Sequence, residues 1–107
     1  MAKIIGKTKT KRYEVIEVVI KNKKNRAEMH EKADDVYFVL SGSARLTIGG
    51  RIIKRIKKSP GEYRGEGISG GKTKLLKKGD VVSIPRGTPH LVDVRKRKIE
   101  YVVIKVY

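Results

Sequence analysis

One stretch near the C-terminus restricts the fold of this chain more than any other. It begins with a turn at 79–80, continues through an apolar run at 81–84, and reaches a second turn at 85–87 just before His90. A short apolar run between two sets of turn residues is typical of a β-strand. His90 then enters a new alternating segment directly after a rigid turn. An imidazole in that position can direct a nitrogen into a cavity, as a metal site requires.

The rest of the chain has the same organisation of short apolar runs and turns. Alternation and β-branched or aromatic residues predict strands over 12–20, 36–40, 44–48, 51–56, 81–84, 90–94 and 99–106. The pair at 49–50, Gly-Gly, predicts a hairpin that joins 44–48 to 51–56. The glycine-rich segment 59–72 is predicted to be a long loop over the mouth of a barrel. No segment has helical periodicity with caps, so we expect an all-β sandwich or small barrel.

The length of 107 residues predicts one domain, 1–107, in which 1–11 is an extension or a dimer-contact arm. The absence of cysteine excludes disulfides and thiolate metal ligands. No apolar run reaches transmembrane length, and the basic segment 1–12 lacks the apolar stretch of a signal peptide. We therefore expect a soluble, cytoplasmic protein without a membrane partner.

The chain is strongly basic, with 27 lysines and arginines against 11 acidic residues and a formal charge of +16. The basic residues cluster at 7–12, 21–26, 51–58, 72–78 and 95–98. Few asparagines, no glutamine and many lysines and glutamates are typical of a heat-adapted protein, which favours a solvated thermophilic surface. Binding to nucleic acid is the alternative. It is not favoured, because the aromatic residues are not interleaved with the basic clusters.

An upstream segment supplies further residues at regular spacing. Glu28 and His30 are two residues apart and so lie on one face of a strand. Asp35 follows with four residues between, and Gly42 comes next in a predicted turn at 41–42. Together with the stretch that ends at His90, this arrangement resembles the two sequence motifs of the cupin superfamily.

The resemblance is strongest in the second motif, which runs glycine, five residues, proline, one residue, glycine, two residues, histidine. The matching residues are Gly79, Pro85, Gly87 and His90, with Val94 in the position of a final asparagine. The first motif is matched at His30 and Gly42. Its glycine, first histidine and glutamate positions are occupied by Asn22, Glu28 and Asp35. The motifs and their flanking strands cover residues from about 12 to 106.

This resemblance implies a single-domain cupin-type β-jelly-roll barrel that holds a divalent metal ion inside. Carried over position by position, the metal ligands are Glu28, His30, Asp35 and His90. Two imidazoles and two carboxylates suit Mn²⁺, Fe²⁺, Zn²⁺ or Ni²⁺. Two carboxylates formally neutralise such an ion and make it a weaker Lewis acid. Asp35 is one methylene shorter than the glutamate of the family, so a three-ligand site is the alternative.

Each of these residues also has an ordinary structural interpretation, as a solvated carboxylate or a hydrogen-bonded histidine, and the barrel then contains a metal-free pocket. Tyr37, Val39 and Val92 share strand faces with Asp35 and His90. We predict that they line the pocket, although residues of this kind in a barrel are also ordinary core residues.

Three functions follow as hypotheses. The first is a small metal-binding cupin, a metal-dependent isomerase or a dioxygenase-like enzyme, that acts on a sugar, a ketoacid or a diol. The second is a cupin that binds or senses a small ligand without turnover, and the third is a polyanion-binding protein, since the fold alone does not select a reaction. A homodimer that pairs through 3–5 and 104–107 is expected, because a small barrel has strand edges to cover.

Overall fold

The computed structural model describes residues 2–107, which form twelve β-strands and no helix. The strands are β1 (Ala2–Lys9), β2 (Tyr13–Lys21), β3 (Ala27–His30), β4 (Asp34–Ile48), β5 (Arg51–Ile53), β6 (Ile56–Ser59), β7 (Glu62–Gly65), β8 (Gly67–Ser69), β9 (Lys72–Lys77), β10 (Val81–Ile84), β11 (His90–Asp93) and β12 (Lys98–Val106). The predicted all-β fold is confirmed. Across 2–107 there is no helix long and apolar enough to cross a membrane.

Strand β4 belongs to two sheets. Its residues 34–42 pair with β12, and its residues 35–38 also pair with β10. Its residues 43–48 pair with β9, and 45–48 also pair with β11. One sheet therefore runs β1-β2-β12-β4-β10 and the other runs β9-β4-β11-β3-β7-β6. A single long strand thus joins both walls of the fold.

Gly42 marks the place where β4 passes from one sheet to the other. It lies inside the strand, so the predicted turn at 41–42 is wrong. The pairing with β12 shifts there, since Glu100 pairs with Ser41 but Tyr101 pairs with Val39. Gly42 has φ of +76°, and a Cβ at this position would overlap the backbone carbonyl of Lys98. Only glycine combines this conformation with so close an approach of two strands.

We expect Gly42→Ala to lower the free energy of unfolding by more than about 2 kcal/mol, because the new methyl group adds both φ strain and a backbone overlap. Gly79→Ala is the matched control. Gly79 also has a positive φ, +88°, but its Cβ would meet nothing within 4 Å. Urea denaturation compares the two variants. Equal losses of stability would contradict the importance of the overlap.

The segment 59–72 is not the long loop that the sequence predicts. It contains β7 and β8, which pair with β3 and β5. Glycine lets these backbones come close together, since a Cβ on Gly65 would meet the side chain of Ile52 and the carbonyl of Ile53. The predicted hairpin is also wrong, because 51–53 pair with β8 while β9 occupies the place beside 43–48.

The hydrophobic core lies between the two sheets and takes residues from both. Its members include Ile20, Val39, Ile99 and Tyr101 from one sheet and Leu46, Leu76, Val92 and Val94 from the other or from its edge. Strand β1 forms the edge of the first sheet by pairing with β2, so 2–9 is part of the sheet. Among the described residues, the buried polar side chains are Glu14, His30, Asp35 and His90. Three of these four are residues of the candidate site.

Candidate metal centre

The four ligands implied by the sequence come together inside the fold. Glu28 and His30 lie on β3, Asp35 lies near the start of β4, and His90 begins β11 opposite Glu28. The Nε2 atom of His30 is 3.3 Å from Asp35 Oδ2 and 3.5 Å from Glu28 Oε2. The Nε2 atom of His90 is 3.6 Å and 3.7 Å from the same two oxygens. Both imidazoles therefore direct Nε2 toward both carboxylates.

The turn at 85–87 is held against β3 beside this group. The backbone N–H of Gly87 donates to the carbonyl of His30 at 2.7 Å, and Gly87 has φ of +77°. Asp34 accepts a hydrogen bond from the Arg86 side chain at 3.1 Å and lies outside the group, as the alternation of β4 predicts. The proline–glycine turn of the second motif thus contacts β3, the strand that carries His30 of the first motif.

The leading position of the first motif has asparagine instead of glycine, and its backbone explains why. Asn22 has φ of +45°, a left-handed conformation that asparagine adopts more readily than most residues. Its side-chain oxygen accepts a hydrogen bond from the backbone N–H of Lys96 at 3.0 Å. The substitution therefore preserves the chain path that leads into β3.

The two imidazoles each have one satisfied and one unsatisfied nitrogen. His30 Nδ1 donates to Glu62 Oε1 at 2.7 Å, and His90 Nδ1 donates to the carbonyl of Thr88 at 3.0 Å. Both Nε2 atoms are buried, and neither has a hydrogen-bond partner among residues 2–107. Buried polar atoms are normally paired, so two such nitrogens that face the same carboxylates indicate a site that binds a further group.

The donor set fits a divalent metal ion. One ligand atom each from Glu28, His30 and His90 lies within 4.8 Å of the other two. With metal–ligand bonds of about 2.1 Å, the ligand atoms of a tetrahedral site are about 3.4 Å apart. The distances from Glu28 Oε2 to the Nε2 atoms of His30 and His90, 3.5 and 3.7 Å, are close to that value. Imidazole and carboxylate donors suit zinc and the other transition metals that the sequence implies.

Asp35 differs from the other three residues because a lysine compensates its charge. Lys105 lies opposite Asp35 in the pairing of β12 with β4, and its Nζ donates to Asp35 Oδ1 at 2.9 Å. The Asp35 side chain is 2% exposed and that of Lys105 is 19% exposed, so the ion pair is largely buried. This cation was not predicted from the sequence. Lys105 thus reduces the negative charge that Asp35 can offer to a bound dication.

The ionisation of the site follows from these neighbours. Burial opposes ionisation of Glu28, but His30 and Arg64 outweigh it and lower its pKa to about 2. Burial also opposes charge on His30, but Asp35 and Glu28 outweigh it and raise its pKa to about 9. Burial lowers the pKa of His90, which keeps that imidazole neutral with a lone pair on Nε2. Without metal, His30 therefore carries a proton that a metal ion must displace.

Two residues of β7 support the ligands and were not predicted. Glu62 pairs with His30 across β3 and β7, and Arg64 pairs with Glu28. Arg64 Nε is 3.4 Å from Glu28 Oε1, and its Nη1 is 3.3 Å from Glu62 Oε1. Glu62 and Arg64 are two residues apart, which places them on one strand face. This alternation could have indicated a strand in the sequence, but the glycines on both sides of it were interpreted as loop residues.

We expect Glu62→Gln to weaken divalent-metal binding about 10- to 100-fold, as is typical for carboxylates that hydrogen-bond to a metal-binding histidine, because the His30 ring loses a charged acceptor. The Kd of Zn²⁺, measured by competition with a chelator, tests this. Glu66→Gln is the control, since Glu66 is 64% exposed and its ion pair is with Lys54, at 3.6 Å, away from the site. Equal Kd values for the two variants would contradict the supporting role of Glu62.

The ligand residues open into a cavity of about 510 Å³. Of the three residues proposed to line a pocket, Tyr37 and Val92 are in its wall, whereas Val39 is 1% exposed and packs in the core instead. Apolar residues of β2 and β12, including Ile16, Val18 and Val103, form another part of the wall. The volume is within the usual range of small-molecule sites.

Comparison with known proteins identifies the fold. The sequence matches no family model and no curated protein. A cupin superfamily protein from Desulfitobacterium hafniense superposes with a TM-score of 0.72 at 14% identity, over 99% of this chain and 77% of that one. KdgF from Halomonas sp. gives 0.69 at 15% identity, over 98% and 76%.

The DMSP lyase DddQ from Ruegeria pomeroyi gives a TM-score of 0.66 at 19% identity and covers 92% of this chain. This chain spans only 40% of the length of that lyase. At these identities the agreement concerns the fold. The resemblance found in the two sequence motifs is confirmed at this level, and the protein has the jelly-roll fold of the cupins.

Proposed function

We propose that this chain is a small metal-binding cupin in which Glu28, His30 and His90 hold a divalent ion and Asp35 lies beside it. The ion is Mn²⁺, Fe²⁺, Zn²⁺ or Ni²⁺, and the ligand is a small polar metabolite in the adjoining cavity. The observation that supports this most is the pair of buried Nε2 atoms, which have no hydrogen-bond partner in the described part of the chain and both face the same two carboxylates.

A bound ion supplies Lewis-acid polarisation of an oxygen on the ligand. The residues of the chain then have separate tasks. Glu62 and the Thr88 carbonyl fix the orientation of the two imidazoles through their Nδ1 atoms. Arg64 holds Glu28, and Lys105 holds Asp35. Three protein ligands leave coordination positions open, which is typical of catalytic rather than structural metal sites.

An enzyme and a non-catalytic binding protein both fit this arrangement. An isomerase or a dioxygenase-like reaction on a sugar, a ketoacid or a diol is the enzyme hypothesis. The fold does not choose between them, because one fold supports many functions. The open coordination positions favour the enzyme.

Elemental analysis of the protein, purified without added metal, is the first test. Stoichiometric divalent metal is expected. The metal-loaded chain is then incubated with sugars, ketoacids and diols, and product is measured. Turnover supports the enzyme, whereas metal with saturable binding but no product supports the binding protein. A chain that takes up no Mn²⁺, Fe²⁺, Zn²⁺ or Ni²⁺ would overturn the proposal.

We also propose that 1–107 forms one domain and that two copies pair as a homodimer. Strand β1 is an edge strand, and its Ile4 and Ile5 are 58% and 45% exposed, which supports pairing through this edge. Val106 and Tyr107 at the end of the chain are also exposed. Sedimentation equilibrium measures the mass directly. A cytoplasmic location and a heat-adapted source remain predictions from composition.

A further inference from the structure

We propose that the ligand of this cavity is a small organic anion, and that Lys23, Arg26 and Lys58 bind its carboxylate or phosphate group. These three residues are called the rim cations below. The inference rests on the proposed function and extends it by naming the chemical class of the ligand.

The charges that line the cavity are unequal. They comprise five cations, Lys23, Arg26, Lys58, Arg64 and Lys105, and three carboxylates, Glu28, Asp35 and Glu62. The inner cations are already compensated, since Arg64 contacts Glu28 and Glu62 and Lys105 contacts Asp35. Each of the three carboxylates of the wall thus contacts a cation, with Arg64 shared by two of them. The charge that is left over in the cavity wall is therefore positive.

The rim cations are the uncompensated part. All three are exposed side chains that also line the cavity, which places them at its opening. Within 2–107, none of the three forms an ion pair with a carboxylate. Cations at the opening of a low-dielectric cleft attract and hold anions. A metal dication deeper in the site adds to the same positive field.

Two separate segments bring the rim cations to the opening. Lys23 and Arg26 lie in the connection between β2 and β3, which is fixed to β11 by a hydrogen bond from Asn25 N–H to the Val92 carbonyl at 3.1 Å. Lys58 lies on β6, which is an edge strand of the second sheet. Since Val92 is itself in the cavity wall, the connection lies at the same cavity.

The wall also limits the rest of the ligand. Ile16, Val18 and Val103 line the cavity, so a ligand that occupies it has a carbon skeleton in contact with apolar side chains. A volume of about 510 Å³ admits a metabolite of a few carbon atoms with one or two charged groups. The expected ligand therefore has oxygen donors for the metal at one end and a charge for the rim cations at the other.

The experiment uses the full, Zn²⁺-loaded chain and three probes with one carbon skeleton: glycerol, glycerate and 3-phosphoglycerate. We expect calorimetry to show tighter binding of the two anions than of glycerol, with affinity that falls as salt is raised. The triple variant Lys23→Gln, Arg26→Gln, Lys58→Gln is expected to weaken anion binding about tenfold or more. Comparing the losses for glycerate and 3-phosphoglycerate identifies which anionic group the rim binds.

A matched triple variant, Lys11→Gln, Arg12→Gln, Lys98→Gln, removes the same charge from exposed positions that do not line the cavity. It should leave anion binding unchanged. Equal losses in both triple variants would overturn the proposal, because the effect is then one of overall charge. Glycerol binding as tight as that of the anions, or tighter binding of a short DNA duplex than of any probe, would overturn it too.

The metal content of every variant separates this inference from the proposed function. If the chain takes up no metal but still binds anions through the rim cations, the inference is supported and the metal site is refuted. If the chain binds metal but shows no preference for the anions over glycerol, the metal site is supported and the inference is refuted.

Discussion

His90→Ala is expected to weaken divalent-metal binding by more than about 100-fold, a loss beyond that caused by changing residues that only support the ligands. His90 supplies one of the two buried Nε2 atoms, and its side chain is 2% exposed. Glu28→Gln, which keeps the volume of the side chain, is expected to give a comparable loss.

Chelator competition and elemental analysis of the purified variants measure these losses, and circular dichroism checks that the strands are retained. Met29→Leu is the control, since Met29 lies between Glu28 and His30 on the opposite face of β3. A His90→Ala variant that keeps a full equivalent of metal would show that the ligand assignment is wrong.

Lys105→Met is expected to have opposite effects on stability and on metal affinity. Without metal it leaves the buried Asp35 carboxylate without its ammonium partner, which costs on the order of 3 kcal/mol of unfolding free energy. With metal, the same change removes a positive charge near the dication and makes the Asp35 charge available to it. The Kd for Zn²⁺ or Mn²⁺ should fall at least about tenfold.

The signature is a midpoint of thermal unfolding that drops in EDTA and recovers when metal is added. The double variant Lys105→Met, Asp35→Asn should lose the gain in affinity, because position 35 then has no carboxylate to offer to the metal. Lys98→Met, an exposed lysine of the same strand, is the control for loss of charge. Unchanged or weaker metal binding in Lys105→Met would contradict the role given to the pair.

The structure brings together the four residues that the cupin resemblance implied as ligands, Glu28, His30, Asp35 and His90. The motif spacing that carries this resemblance is a local property of the sequence. Local rules failed at 59–72, where glycines that permit close strand packing looked like loop residues. They failed at Gly42 too, which bends β4 instead of ending it.

The supporting charges could not be predicted in this way. Glu62 reaches His30 because β7 pairs with β3, and Lys105 reaches Asp35 because β12 pairs with β4. Each contact joins positions far apart in the chain, and a shift of one residue in either pairing would turn the side chain to the opposite face.

By itself, the sequence determined that the chain is made of strands and, through the resemblance to the cupin motifs, which four side chains were candidates for the site, since both depend on spacing along the backbone. The tertiary structure decided which cation compensates which carboxylate and which cations remain free at the opening of the cavity. Those depend on strand register, which is set by the packing of the whole core and not by any local pattern.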